Sequence, residues 1–463
     1  MNFVIVLASL CFLMLVAYRG YSVILFAPVA ALGAVLFTDP SLVAPMYSSV
    51  FMVKMVEFVK NYFPVFMLGA IFGKVIELSG FSKSIVAGVI GMLGRQRAIL
   101  SIVMVCAILT YGGVSLFVVV FAVYPFAAEL FRASEIPKRL IPGTIALGAF
   151  TFTMDALPGT PQIQNIIPTT FFDTTTWAAP WLGVIGAVFI LVLGLLYLEW
   201  QRRRAEAAGE GYGTNLVNEP EPFEEQKLAN PWIAILPLVI VGVTNKLFTS
   251  LIPDFYGKAH TMTLAGSTTP VTTDVSKLVA IWAVEAALLL GILTVLVFAF
   301  RPVMTKFAEG SKAAVGGALL ASLNTASEYG FGGVIAALPG FMVIADALRA
   351  IPNPLVNEAI SVSVLAGITG SASGGMSIAL AAMAKTFIAN AQAAGIPMEV
   401  LSRVASMASG GMDTLPHNGA VITLLAVTGL THRQSYKDIF AITVLKTTAV
   451  FVVIAVYYLT GIV

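Results

Sequence analysis

Ser409 to Ala420 reads SGGMDTLPHNGA, placing an Asp, a His, an Asn, a Pro and three glycines in the middle of apolar sequence. None of these groups is comfortable in hydrocarbon, where no water is present to satisfy them. An earlier stretch, Thr153 to Gln162, reads TMDALPGTPQ, so the pattern Met-Asp-x-Leu-Pro occurs twice in one chain. That doubling organises everything around it.

The surrounding sequence is 58% hydrophobic and only 11% charged over 463 residues, with a mean hydropathy of +0.92. A soluble globular protein is about 25% charged, so the expected fold class is an all-α polytopic membrane protein. Many segments approach the roughly 20 apolar residues that cross a bilayer, and the alternating period of a membrane β-barrel is absent. Residues 3 to 18 read as a first span rather than a signal peptide, because Met1-Asn2 supplies no basic n-region and a second apolar run follows at once. The net charge of +2 comes with no basic face that would suit nucleic acid. Cys11 and Cys106 both sit inside apolar runs and imply neither a disulfide nor a metal site. No cofactor is expected.

Taken in order, residues 3 to 18 and 21 to 37 form two spans, and 44 to 63 an amphipathic segment with Lys54, Glu57 and Lys60 on one face. An interfacial helix is the favoured reading of that segment, a polar translocation surface the alternative. A span at 64 to 79, a short piece at 84 to 94 and an apolar stretch at 98 to 131 follow. Thr110-Tyr-Gly-Gly113 interrupts this last stretch, which suggests a re-entrant hairpin. Residues 138 to 175 hold the first Met-Asp-x-Leu-Pro element and read as a broken span, followed by a continuous one at 178 to 199. Residues 201 to 230 are polar and aperiodic, a linker with no fold of its own.

The second half repeats the plan. Spans at 231 to 248 and 278 to 299 flank a Thr/Ser-rich loop with His260; a third at 312 to 338 carries Glu328. A stretch from Glu358 to Asn390 is interrupted at Thr369 to Gly375, the opening motif lies within 397 to 430, and a last span covers 439 to 460. Gly80-Phe81 matches Gly340-Phe341 and Ile136-Pro137 matches Ile396-Pro397 at an offset of 260, while Asp155 matches Asp413 at 258. The expectation is two repeats, 1–200 and 231–463, joined by the linker. Each repeat has about five spans, with a re-entrant hairpin and a broken helix among its elements. Because each half crosses an odd number of times, the repeats are inverted. Placing Arg202 to Arg204 inside puts 16 of the 26 basic residues on the cytoplasmic face and both termini outside.

Inverted repeats with discontinuous helices describe secondary transporters, whose sites lie near the midplane where broken helices expose backbone dipoles. Glycine and hydroxyl-rich breaks let N–H groups approach an anion, and a half-helix N-terminus adds partial positive charge, so a small carboxylate could bind without an arginine. The candidate substrate-binding set is Gly112, Gly113, Ser115, Thr160, Gln162, Ser371, Ser373, Gly374, His417 and Asn418. Tight helix contact is the competing reading of the glycines. Ionisable groups at membrane depth cost at least about 2.5 kcal/mol each, so Asp155, Glu328 and Asp413 are the candidate ion-coupling residues. Capping of a half-helix that starts at the following proline is the competing reading of the two aspartates. His417, opposite Gly159 in the repeat, is expected to contact substrate; His260 and His432 receive no role.

LGAIFGKVIELSGF at 68 to 81, YGGVSLFVVVFAVYP at 111 to 125, LPGTP at 157 to 161 and GSASGGMSIA at 370 to 379 together resemble the gluconate permease family of the ion transporter superfamily. The resemblance covers nearly the whole chain and carries its weight in the order and spacing of the motifs. It implies proton-coupled symport of sugar acids or small hydroxy-carboxylates, inverted repeats, a homodimer and an elevator-type mobile domain in a bacterial inner membrane. LPGTP and the paired aspartates depart from the sugar-acid members and turn the resemblance toward the branch that carries 3-hydroxybutyrate-like monocarboxylates. Sodium remains an alternative coupling ion. An intramembrane enzyme built on Ser409, Asp413 and His417 lacks any GxSxG or HExxH motif, and a channel lacks rings of like charge.

Overall fold

The computed structural model describes residues 2–19, 21–94, 97–214, 216–220, 228–266, 269–349, 351–416 and 418–463. The first half runs α1 (Asn2–Tyr18), α2 (Val23–Thr38), α3 (Val43–Met46), α4 (Met52–Leu78) and α5 (Phe81–Leu93). It continues with α6 (Ala98–Tyr111), α7 (Leu116–Ala133), α8 (Ile141–Ala149), the single turn α9 (Phe152–Asp155), α10 (Ile163–Phe172) and α11 (Pro180–Ala207). The second half comprises α12 (Pro231–Tyr256), a hairpin of β1 (Ala259–Met262) and β2 (Val271–Asp274), and α13 (Val279–Ala337). After these come α14 (Pro339–Arg349), α15 (Pro354–Thr369), α16 (Ala372–Ala393), α17 (Met398–Gly410), α18 (Gly419–Thr428) and α19 (His432–Thr460). Among the described residues, six helical runs are long and apolar enough to cross a membrane: 40–78, α11, α12, α13, α16 and α19. The protein is an all-α polytopic membrane protein, to which the two strands add one exposed antiparallel hairpin where a loop was expected.

Three boundaries differ from the sequence reading, each for a physical reason. The amphipathic segment and the span after it are one helical run from Pro40 to Leu78, with Pro64 inside α4. The side of α4 that carries Phe58 and Tyr62 makes a tertiary contact, since both are buried and the Phe58 ring stands 5.8 Å from that of Tyr329 on α13, while Lys60 is exposed. Lys54 and Glu57 neutralise each other at 2.9 Å.

The spans at 278 to 299 and 312 to 338 follow each other without the intervening loop, as two helices that meet at a kink within the run Val279–Ala337. Its 59 residues are far more than the roughly 20 that one crossing needs. It bends at Ala299 (φ −138°, ψ 37°), three residues before Pro302, whose ring cannot accommodate the preceding turn.

The linker, finally, is anchored along its described part, residues 215 and 221–227 lying outside it. α11 continues to Ala207, and beyond it Arg139 holds Glu210 at 2.7 Å, Lys138 Nζ donates to the Val217 carbonyl at 2.7 Å and Asn218 Nδ2 to that of Ala426 at 2.9 Å.

α8 and α17, which lead into the two broken stretches, occupy the centre of the molecule. All nine residues of α8 are buried, as is α17 from Val400 to Gly410. α13 runs alongside α4 and α12 and also touches α16.

Candidate functional site

After α8 the chain turns at Phe152–Asp155, passes Gly159 in the left-handed region (φ +77°) and reaches α10 at Ile163. A side chain at Gly159 would strike the Trp177 ring, so glycine is required there both for backbone and for space. The Asp155 carboxylate, fully buried, forms an ion pair with Lys446 of α19, whose ammonium also donates to the Phe150 carbonyl at 3.1 Å. The Asp155 carbonyl accepts from Arg403 Nη1 and Ser406 Oγ, each at 2.9 Å. Arg403 is 1% exposed and directs its remaining donors at Asn165 Oδ1 (2.9 Å) and at the Ala178 carbonyl (3.1 and 2.8 Å). Asn165 in turn donates to the carbonyls of Thr160 and Thr176 at 3.0 and 2.9 Å. No arginine was among the candidates read from the sequence for this site. Arg403 lies at its heart, although its donors meet backbone carbonyls and an amide rather than an open anion site.

At the second broken stretch α17 gives way to a tight 3-10 turn, Gly411–Thr414, and α18 starts at Gly419 behind the cap Asn418. Asp413 Oδ1 accepts the Ala372 N–H at 3.0 Å, and Oδ2 accepts Gln164 Nε2 at 2.8 Å. Asn418 Nδ2 donates to Asp413 Oδ1 at 3.2 Å and to the Gly370 carbonyl at 2.8 Å. Neither aspartate caps the half-helix that follows it, since those caps are Gln162 and Asn418. Asp413 instead satisfies the first turn of α16 from across the molecule, where a carboxylate meets the positive end of the helix dipole.

Glu328 meets the same turn. Ser371 Oγ accepts the Gly374 N–H at 3.1 Å and hydrogen-bonds the Glu328 carboxylate, whose Oε2 has no hydrogen-bond partner among the described residues. A Cβ at Gly374 would fall on the Glu328 carboxylate, so this glycine opens the space the acid occupies. Ser373 Oγ lies 3.4 Å from Thr325 Oγ1, which closes the ring.

The structure thus gathers Ser371, Ser373, Gly374, Asn418, Asp413 and Glu328 around one helix start, with Gln164 reaching in from the first half. The first-half candidates form a separate group. Gln162 Nε2 donates to the Thr110 carbonyl at 2.7 Å, and Thr160 Oγ1 to that of Thr153 at 2.7 Å. Ser115 precedes α7 without a capping bond. The amides of Gly112 and Gly113 are engaged within their own turn at 3.0 and 3.1 Å, and Gly112 lies against Leu238. Gly112 serves helix contact here, and its N–H is not open to a ligand. His417 lies outside the described residues. His432, given no role from sequence, places Nε2 2.8 Å from the Pro416 carbonyl of the second broken stretch.

Gln164, Asn165, Arg403 and Lys446 were missed by sequence reasoning. For the last two a signal existed: each is a lone cation in an apolar run, VLSRVAS and ITVLKTTAV, and such a residue at membrane depth asks for a partner. Glu358 on α15 belongs with them, since it is fully buried and neither of its carboxylate oxygens has a hydrogen-bond partner among the described residues.

A polytopic helical bundle with two broken helices meeting over buried acids has the form of a membrane transporter. In sequence the chain is 58% identical, along the whole of both proteins, to the uncharacterized transporter YxjC of Bacillus subtilis (strain 168), and it belongs to the same transporter family. The YdaH transporter of Alcanivorax borkumensis shares the fold, with a TM-score of 0.51 over 92% of this chain and 90% of that one at 13% identity. No family model matches the chain. The protein is therefore a multi-pass membrane transporter and not an enzyme.

Proposed function

We propose that the chain is a secondary active symporter of a small hydroxy-carboxylate or sugar acid, driven by protons and working by elevator-type alternating access. The observation that carries this reading is the convergence of Asp413 and Glu328 on the first turn of α16. An ionised carboxylate without a cationic partner is costly at membrane depth, so Glu328 calls for a proton or a metal cation, and the ring of Ser371, Ser373 and Asn418 offers a small anion its hydrogen bonds. His417 and Asn418 are the proposed seat of substrate preference, with Thr160, Gln162, Gly113 and Ser115 their proposed counterparts in the first half.

The element orders of the two halves support reading them as repeats spanning 1–200 and 231–463. Two or three spans, a helical pair, a broken helix and a long final helix recur in sequence. An odd number of crossings in each half makes the repeats inverted, with both termini outside and the linker cytoplasmic in a bacterial inner membrane. A homodimer and kinship with gluconate permeases, in the branch for 3-hydroxybutyrate-like acids, follow from the motif resemblance. Uptake of 3-hydroxybutyrate and gluconate into proteoliposomes under an imposed pH gradient tests the proposal. Accumulation that follows the gradient supports it; uptake that ignores the gradient and requires sodium replaces the proton with the alternative ion, for which broken-helix carbonyls beside an Asp are equally suited.

A further inference from the structure

We propose that Lys446 is a built-in cation whose ammonium holds, in the first half, the place an exchangeable coupling cation takes in the second. Asp155 is then closed to exchange and Asp413 open. The inference rests on the reading of Asp413 as an ion-coupling residue and adds which of the two matched aspartates turns over.

The two carboxylates occupy equivalent positions in the repeated pattern but have different partners. Asp155 faces the Lys446 ammonium, with both side chains no more than 1% exposed. Around Asp413 the hydrogen-bond donors are two side-chain amides and one backbone N–H, and among the described residues no basic side chain lies within ion-pair distance. The charged groups whose fields reach Asp155 are Lys446 on α19, Asp413 on the 3-10 turn and Arg403 on α17. Lys446 also acts on Asp413, at longer range.

The backbone makes room for the pair. A Cβ at Gly410, the last residue of α17, would meet both the Asp155 carboxylate and the Lys446 ammonium. The ammonium donates to the Phe150 carbonyl at the end of α8, as a bound cation would draw on a freed carbonyl at a helix break. A carboxylate, a carbonyl freed at a helix end and a glycine notch are the parts of a monovalent cation site. Here the cation is covalently tethered and cannot leave.

The test uses the purified full-length chain and follows thermal unfolding in detergent against sodium, methylammonium and proton concentration, with choline chloride holding ionic strength constant. Wild type should show a single saturable cation dependence, and Asp413→Asn should abolish it. Lys446→Met should add a second saturable dependence, including stabilisation by methylammonium that wild type lacks by at least tenfold in midpoint. Asp155→Asn/Lys446→Met should remove that added response and return to the wild-type pattern. Should Lys446→Met fold only when sodium or methylammonium is supplied, while the double variant folds without them, the inference is equally supported. It is overturned if folded Lys446→Met responds to cations as wild type does, or if no cation restores its fold while the double variant folds. An Asp413→Asn that keeps the wild-type response would instead remove the coupling reading beneath it, whatever Lys446→Met does.

Discussion

At the first broken stretch a carboxylate faces an ammonium, and a guanidinium gathers the surrounding carbonyls; at the second, the matched carboxylate faces only amides among the described residues. The same five-residue pattern is thus embedded in two different electrostatic settings. A buried charge with its counter-charge in place is a fixed structural unit, because removing either partner strands the other. A buried carboxylate held by neutral donors keeps its geometry whether or not a cation is present. The first stretch is therefore built to stay and the second to change.

Arg403 provides the strongest way to break this contrast. It reaches the carbonyls of Asp155 and Ala178 and the amide of Asn165 from inside the molecule. Arg403→Met leaves the Ala178 carbonyl and Asn165 Oδ1 buried without this donor and the Asp155 carbonyl with Ser406 alone, and unfolding in detergent should move down by about 3–5 kcal/mol or no folded protein should be recovered. Arg403→Lys should recover only part of the loss, because an ammonium cannot reproduce the planar fork. A folded, stable Arg403→Met would mean that the first stretch is not held from within.

A direct comparison of the two aspartates comes next. Asp155→Asn strands the Lys446 ammonium and should cost about 3–5 kcal/mol. Asp413→Asn retains an oxygen to accept the Ala372 N–H and should cost only about 1–2 kcal/mol, the worth of a rearranged hydrogen bond, while abolishing gradient-driven uptake. Equal losses of stability in thermal unfolding would erase the distinction between the stretches.

A smaller effect is expected at Gly374, where a methyl group would fall on the Glu328 carboxylate. Gly374→Ala should destabilise by about 1–3 kcal/mol through overpacking, with uptake reduced at least tenfold as Glu328 is displaced. The corresponding Gly375→Ala meets the Ala366 backbone instead. It should harm stability at least as much, so uptake per folded molecule separates displacement of the acid from general crowding.

Much of this was legible in the sequence and some was not, for definite reasons. Met-Asp-x-Leu-Pro marked both broken stretches because proline and glycine interrupt helices whatever surrounds them. Glu328 stood out as an acid in an apolar run. Gln164 did not, since a glutamine two residues into a half-helix carries no local pattern that points it at Asp413, 249 positions away. Lys446 and Arg403 were visible as lone cations, but their partners are set by tertiary geometry alone. The continuous run through Pro64 escaped for another reason: a proline looks like a break in a sequence, whereas within a bundle the neighbouring helices carry α4 through it.

The linker tests whether the second stretch is also steadied from outside. Val217 and Asn218 rest on Gly429 and on the Ala426 carbonyl at the end of α18, the outer half of that broken helix. They are held in place by Glu219, which pairs with Arg132 and, at 2.7 Å, with Lys138. Partial burial pulls the Glu219 carboxyl upward, but hydrogen bonds from Lys138 and Arg132 outweigh it and hold the group below its ordinary value of 4.5. A carboxylate lowered in the folded state stabilises above its ordinary value, and that contribution is lost as pH falls through the lowered one. Glu219→Gln should therefore cost less than about 1 kcal/mol at neutral pH, as for a partly exposed ion pair. The gap in unfolding temperature from wild type should hold steady from pH 7 to near 4.5 and narrow below it. Hydrogen exchange of the α18 amides should rise in the variant while those of α10, which the linker does not fasten, stay unchanged. Equal loosening of both half-helices would show that the linker bears on the whole core rather than on the second stretch, and a gap that widens with acid would show that Glu219 is not the group that pins it.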